Sequence, residues 1–176
     1  MKAIPALAFC LSVFIKVTVA APPGDTCNLP QDLQREIAAE YPGAKLVTLS
    51  NLSADDRRFF QKDHGDACPG LVRADFYGDN KLTVALVLVT KVGAKDKAEL
   101  VMAHQVGGHW KTRVLDDADG APVPVVWSQP PGQYRDVYGK TEIRATKPVI
   151  VFAGYESWAI VYAWTGKSVA KVWIAD

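Results

Sequence analysis

Three stretches of this chain carry residue types at spacings that could do chemistry. In RADFYGDNKLTVAL (residues 73–86), Asp75 and Asp79 sit four apart in a loop with glycine and asparagine. Carboxylates converging in this way supply the hard oxygen ligands that calcium needs. His104 and His109 straddle Gly107-Gly108. Across a turn of two or four residues both imidazoles fall on one face, within roughly 5–8 Å, the start of a zinc or copper site that needs a third ligand from elsewhere. Asp116, Asp117 and Asp119 crowd into LDDADG, where carboxylates hold a cation weakly or, more ordinarily, form turns. The chain has no nucleophile elbow, paired HExxH histidines or phosphate-cradling glycine loop.

The first stretch resembles the calcium loop of FG-GAP repeats, found in integrin-like propellers, which reads D-x-[DN]-x-D-G-x-x-D. Asp75 matches its first ligand and Asp79 its third, while Tyr77 stands at the second, Asn80 at the glycine and Thr83 at the last. The resemblance covers residues 75–83 and occurs once. It implies calcium on Asp75 and Asp79, hence a calcium-stabilised structural module. The competing reading is a bare hairpin whose Asp and Asn side chains bond their own backbone. A tyrosine at a ligand position favours the hairpin.

Aromatic residues offer a different chemistry. SWAIVYAW and KSVAKVWIA, closed by a turn at Thr165-Gly166, place Trp164 opposite Lys167 and Trp158 opposite Trp173. One face then carries Trp158, Ile160, Tyr162, Trp164 and Trp173 with Lys171 among them. The other carries the small residues Ala159, Val161, Ala163, Ala170 and Val172, and is expected to lie under a helix. Full burial of the aromatic face would strand the Lys171 ammonium at a cost of several kcal/mol. Either Lys171 reaches water from an edge, or the face is partly wet and suits a protein, peptide or glycan partner. GQYRDVYGK adds Tyr134, Arg135, Asp136 and Tyr138 on a loop, either a recognition surface or an Arg135–Asp136 ion pair with tyrosines covering a sheet edge.

The elements that must position these residues are legible in outline. Residues 1–20 have the layout of a secretory signal peptide, an apolar run after one Lys and small residues before a cleavage point at Ala20. Residues 21–176 have the length of a single domain, with no later segment apolar enough to span a membrane. The formal charge is +1, and becomes −1 without Lys2 and Lys16. Such a balance, without basic runs, sets nucleic acid aside as a partner. Cys27 and Cys68, the two cysteines left in an exported chain, are expected to form a disulfide.

NLPQDLQREIAAEYPG predicts a helix, with Leu33, Ile37 and Tyr41 on one side and Pro42-Gly43 as the stop. Ser53 with Asp56 makes the cap of a second. From Gly70 the period is two. KLTVALVLVTK, apolar on both faces, predicts a central strand. Gly107-Gly108 predicts a hairpin. DDADGAPVPVVWSQPPGQY predicts a long ordered loop, and three strands close the chain. The expectation is an α+β domain, one or two N-terminal helices packed on an antiparallel β-meander, exported to the periplasm or beyond. As function it gives a non-enzymatic binding module, such as an inhibitor or immunity-type protein. The alternative is a small hydrolase drawing carboxylates from Asp75, Asp116 or Glu156.

Overall fold

The computed structural model describes residues 26–120 and 122–176; the expected signal peptide lies outside the described residues. Helices α1 (Gln31–Glu40) and α2 (Ala54–His64) precede most of eleven strands. These are β1 (Lys45–Leu46), β2 (Leu71–Ala74), β3 (Thr83–Val92), β4 (Lys95–Val106), β5 (His109–Asp119), β6 (Val125–Gln129), β7 (Gly132–Arg135), β8 (Glu142–Ala145), β9 (Val149–Gly154), β10 (Trp158–Trp164) and β11 (Val169–Ala175). The structure is mostly β, so the α+β expectation holds only in coarse form. The expected single meander is instead three antiparallel sheets: β1 and β2 beside β3-β4-β5, then β11-β10-β9-β6, and the hairpin β7-β8.

Side-chain periodicity explains the stacking. β3 is apolar on both faces because both are covered, as a central strand requires. Its Val84, Leu86 and Leu88 meet Leu33 and Ile37 of α1, and Trp110 Nε1 fixes that helix by donating to Asp32 at 2.7 Å. Its Ala85 and Val87, with Leu100 and Met102 of β4, face Ile150, Phe152, Ile160 and Tyr162 of the second sheet. Phe60 of α2 joins this core, and Ser53 Oγ caps that helix by accepting from Asp56 N at 3.1 Å. The Gly107-Gly108 turn forms as expected, both residues at positive φ (+60° and +80°).

Three expectations are corrected. The small face of β10 (Val161, Ala163) packs under β7-β8, against Ala145, Tyr134 and Ile143, and not under a helix. Strand alternation tells which residues share a face, not which layer covers it. The β10–β11 turn spans four residues, so Trp164 pairs with Val169 and Tyr162 with Lys171. That two-residue shift leaves each side chain on its expected face, because the period is two. Lastly, residues 116–134 are not one long loop. β5 runs on through Asp119, paired with β4 back to Lys97, and Lys97 Nζ meets Asp117 at 3.2 Å and Glu99 at 3.0 Å. A cation on the neighbouring strand makes an acidic run acceptable as strand.

Cys27 and Cys68 form a disulfide across 41 residues, Cα atoms 5.0 Å apart. Among the described residues no helix is long and apolar enough to cross a membrane. The two large sheets are joined along one side, where Val126 N donates to Pro69 O at 2.7 Å. On the other side stand their terminal strands, β5 and β11. Between those strands the sandwich has a mouth.

Candidate binding cleft

The mouth is shaped by one irregularity. Leu100 pairs with Asp116 while the next residue, Val101, pairs with Val114, so Leu115 is an extra residue in β5. Such bulges re-aim side chains. In an unbroken ladder Leu115 would face Leu100, and Asp116 would stand opposite Glu99, carboxylate beside carboxylate. The bulge turns Asp116 to the inner side instead.

There its carboxylate meets the second sheet. Asp116 Oδ2 accepts hydrogen bonds from the Tyr162 hydroxyl and from Lys171 Nζ, and Oδ1 accepts from Asp117 N at 3.0 Å. The Asp116 side chain is 17% exposed and that of Lys171 41%. Burial pushes the Asp116 carboxyl up, but the bonds from Lys171, Tyr162 and Asp117 N together outweigh it and hold the group below the usual carboxylate range. Burial first, then the bond to Asp116, raises the Tyr162 phenol far above its ordinary value. Asp116 is therefore a fixed anion and Tyr162 a fixed donor near neutrality.

Around this pair lies a cleft of about 240 Å³, walled by residues 116–119, three of them the carboxylates Asp116, Asp117 and Asp119, and by Trp158, Ile160, Lys171 and Trp173. The rings of Trp158 and Trp173 stand 6.3 Å apart at 62°, and Phe152 backs Trp158 at 4.9 Å. Lys171 Nζ lies 5.3 Å from the Trp173 ring. Both halves of the sequence alternative hold at once: Lys171 reaches the mouth from an edge strand, and Trp158 and Trp173 beside it are only half-buried. Trp164 leans on Tyr77 (5.1 Å), whose hydroxyl accepts from Arg113 at 3.1 Å.

The remaining expected residues fall elsewhere. Asp79 Oδ1 accepts from Lys81 N at 3.1 Å, an Asx turn with Asn80 at φ +61°. Its Oδ2 accepts from His104 Nε2 at 3.2 Å, and His104 Nδ1 shares a hydrogen with Thr83 Oγ1 at 3.0 Å. Asp75 Oδ1 is buried with no hydrogen-bond partner among the described residues. Tyr77 is an aromatic wedge between Phe76, His104 and Trp164. Among the described residues no three His, Cys, Asp or Glu gather to hold a metal ion.

The Tyr134–Tyr138 segment is the β7-β8 hairpin, and its ion pair is not Arg135–Asp136. Arg135 Nε instead donates to Glu142 across the strands at 2.8 Å, while Asp136 Oδ1 accepts from Tyr138 N at 2.7 Å. Tyr134 packs inward and donates to Pro130 O at 2.6 Å. The tip covers the edge of β11, where Val137 N donates to Trp173 O at 2.9 Å and the Tyr138 hydroxyl reaches Asp176.

Of the three hydrolase carboxylates only Asp116 lines the cleft, and its titration shifts down where an acid catalyst needs a shift up. Glu156 sits in the β9–β10 turn at φ +55°. A larger hollow, about 540 Å³, lies among Pro42, Lys45, Val47, Val89, Lys91 and Asp96. It carries no aromatic residue, and its one acid is loosely paired with Lys91 at 4.0 Å. The β5–β11 mouth is the better-built site. Sequence reasoning missed Asp117 and Asp119 as part of its wall, since the acidic run reads as turn residues. No protein-family model, curated protein or solved structure matches this chain.

Proposed function

We propose that this protein is an exported, non-enzymatic binding module whose site is the mouth between β5 and β11. The observation that carries the reading is the Asp116–Lys171 ion pair set among half-buried tryptophans. The indoles of Trp158, Trp164 and Trp173 pack on the core yet keep part of their surface exposed. Apolar rings flanking a fixed polar pair suit recognition. Export is supported by the Cys27–Cys68 disulfide, which persists in oxidising compartments, and by the leader-like residues 1–20. A cleft of about 240 Å³ takes a single ring or side chain at a time, so the partner inserts one group and lies along the rim.

The test is site-specific photo-crosslinking in the producing cell. Ala118→p-benzoylphenylalanine, on the cleft wall, is expected to give discrete adducts. The same residue at Lys62, on α2, is expected to give none. Equal labelling from both positions would sink the reading.

A further inference from the structure

We infer that the cleft takes an arginine side chain of a partner protein, its guanidinium laid on Trp158 and Trp173 and its N–H groups donating to Asp116 and the acidic rim. This rests on the reading of the mouth as a binding site and names the group inserted there. Charge makes the choice. The cleft is lined by three carboxylates, Asp116, Asp117 and Asp119, and by one cation, Lys171. The next groups outward do not restore the balance, because Lys97 Nζ is shared between Asp117 at 3.2 Å and Glu99 at 3.0 Å. Four carboxylates thus face two ammonium groups, and among the described residues Asp119 makes no ion pair. An anionic guest is repelled, and a neutral one leaves the surplus unanswered. A cationic guest answers it without displacing Lys171.

The groups are placed for one extended side chain. On β5, Ala118 pairs with Ala98 and faces the core, so alternation sets Asp117 and Asp119 on the rim. Asp116 lies deeper, its side chain 17% exposed. Its oxygens accept three hydrogen bonds, from Tyr162, Lys171 and Asp117 N, and a carboxylate accepts about four. One position is left for an incoming N–H. Trp158 and Trp173 stand 6.3 Å apart at 62° as an aromatic corner, and Lys171 Nζ, 5.3 Å from the Trp173 ring, is a cation already held against it. Among the described residues the acids do not gather around one point, so they suit an extended cation better than a metal ion. Arginine fits better than lysine. Its planar guanidinium stacks on an indole and its five N–H donors reach two carboxylates at once, whereas an ammonium is a compact, strongly hydrated point charge.

The experiment titrates neutral-ended glycine-serine heptapeptides into the mature, oxidised protein, each carrying two arginines, two lysines, two glutamines or two glutamates. Tryptophan fluorescence and calorimetry at low salt read the binding, at up to millimolar concentration. The arginine peptide is expected to bind saturably, and more weakly as salt rises. The lysine peptide should bind several-fold less tightly, and the glutamine and glutamate peptides not measurably. Asp119→Asn, on the exposed rim, should weaken the arginine peptide about threefold, and Trp173→Ala about tenfold. Asp66→Asn, exposed between α2 and β2, should leave it unchanged. Lys171→Gln carries the sharpest sign: it frees Asp116 for the guest and should tighten binding. Melting curves of each variant separate lost binding from lost folding. Silence from the arginine peptide, equal binding of the lysine or glutamine peptide, native affinity in both Asp119→Asn and Trp173→Ala, or weaker binding by a folded Lys171→Gln overturns the inference. If the arginine peptide fails while position 118 still crosslinks specifically, the mouth remains a binding site and only its guest falls. If both fail, both readings fall.

Discussion

Asp116 and Lys171 are joined across the mouth of the sandwich by one carboxylate oxygen, although they belong to terminal strands of different sheets. That oxygen also satisfies the hydroxyl of Tyr162, a residue only 2% exposed. The pair thus ties two sheets together and sets the polarity of the cleft.

Asp116→Ala leaves the buried Tyr162 hydroxyl without an acceptor and is expected to destabilise the fold by about 1–3 kcal/mol, measured by urea unfolding at neutral pH. Asp116→Asn keeps an acceptor and should cost less. The pH dependence follows from the lowered folded-state pKa. Stability from ionised Asp116 is complete above the unfolded value near ~4 and is lost as pH falls through the folded one. The native protein should therefore lose stability below pH ~4 more steeply than Asp116→Asn. Parallel curves for the two would show that Asp116 is not coupled to folding.

Gly70 has no room for a side chain. A Cβ there would meet the backbone oxygen of Val47 and lie 2.8 Å from Val47 N, and main chain does not move aside as a flexible side chain can. Gly70→Ala is expected to cost about 1–3 kcal/mol. Gly132→Ala, where the nearest atom is 3.6 Å away, should stay within about 0.5 kcal/mol. Denaturant midpoints of the two variants check the contrast.

Reducing the Cys27–Cys68 bond frees a 41-residue separation. On the loop-entropy model this removes about 4 kcal/mol of stability, so the urea midpoint should fall markedly in reductant. The double variant Cys27→Ala with Cys68→Ala should reproduce the fall and show no further response to reductant. An unchanged midpoint would mean that the N-terminal tie contributes little.

Much of the architecture is legible in residue order wherever a local rule decides it. Ser53 capping α2, Gly107-Gly108 turning the β4–β5 hairpin and the doubly apolar β3 are each set by a few neighbours. The partition into two sheets is not. It depends on which face meets which, and the alternation of Ile160 and Tyr162 with Val161 and Ala163 reads the same under a helix, a sheet or a hairpin. Asp116–Asp119 read as turn residues because the stabilising Lys97 lies on another strand. The bulge at Leu115 is not visible either, yet it decides which way Asp116 points. The aromatic strip and Lys171 were identifiable as a group; their meeting with Asp116 was a tertiary event.

The bond from Val126 to Pro69 and the close seat of Gly70 against Val47 hold one side of the sandwich together, while the bonds of Lys171 and Tyr162 to Asp116 span the other. Mechanically this is a clasp with a fixed spine. A change in the spine, such as Gly70→Ala pushing on Val47, would reach the mouth through the packed sheets and not through any residue of the cleft.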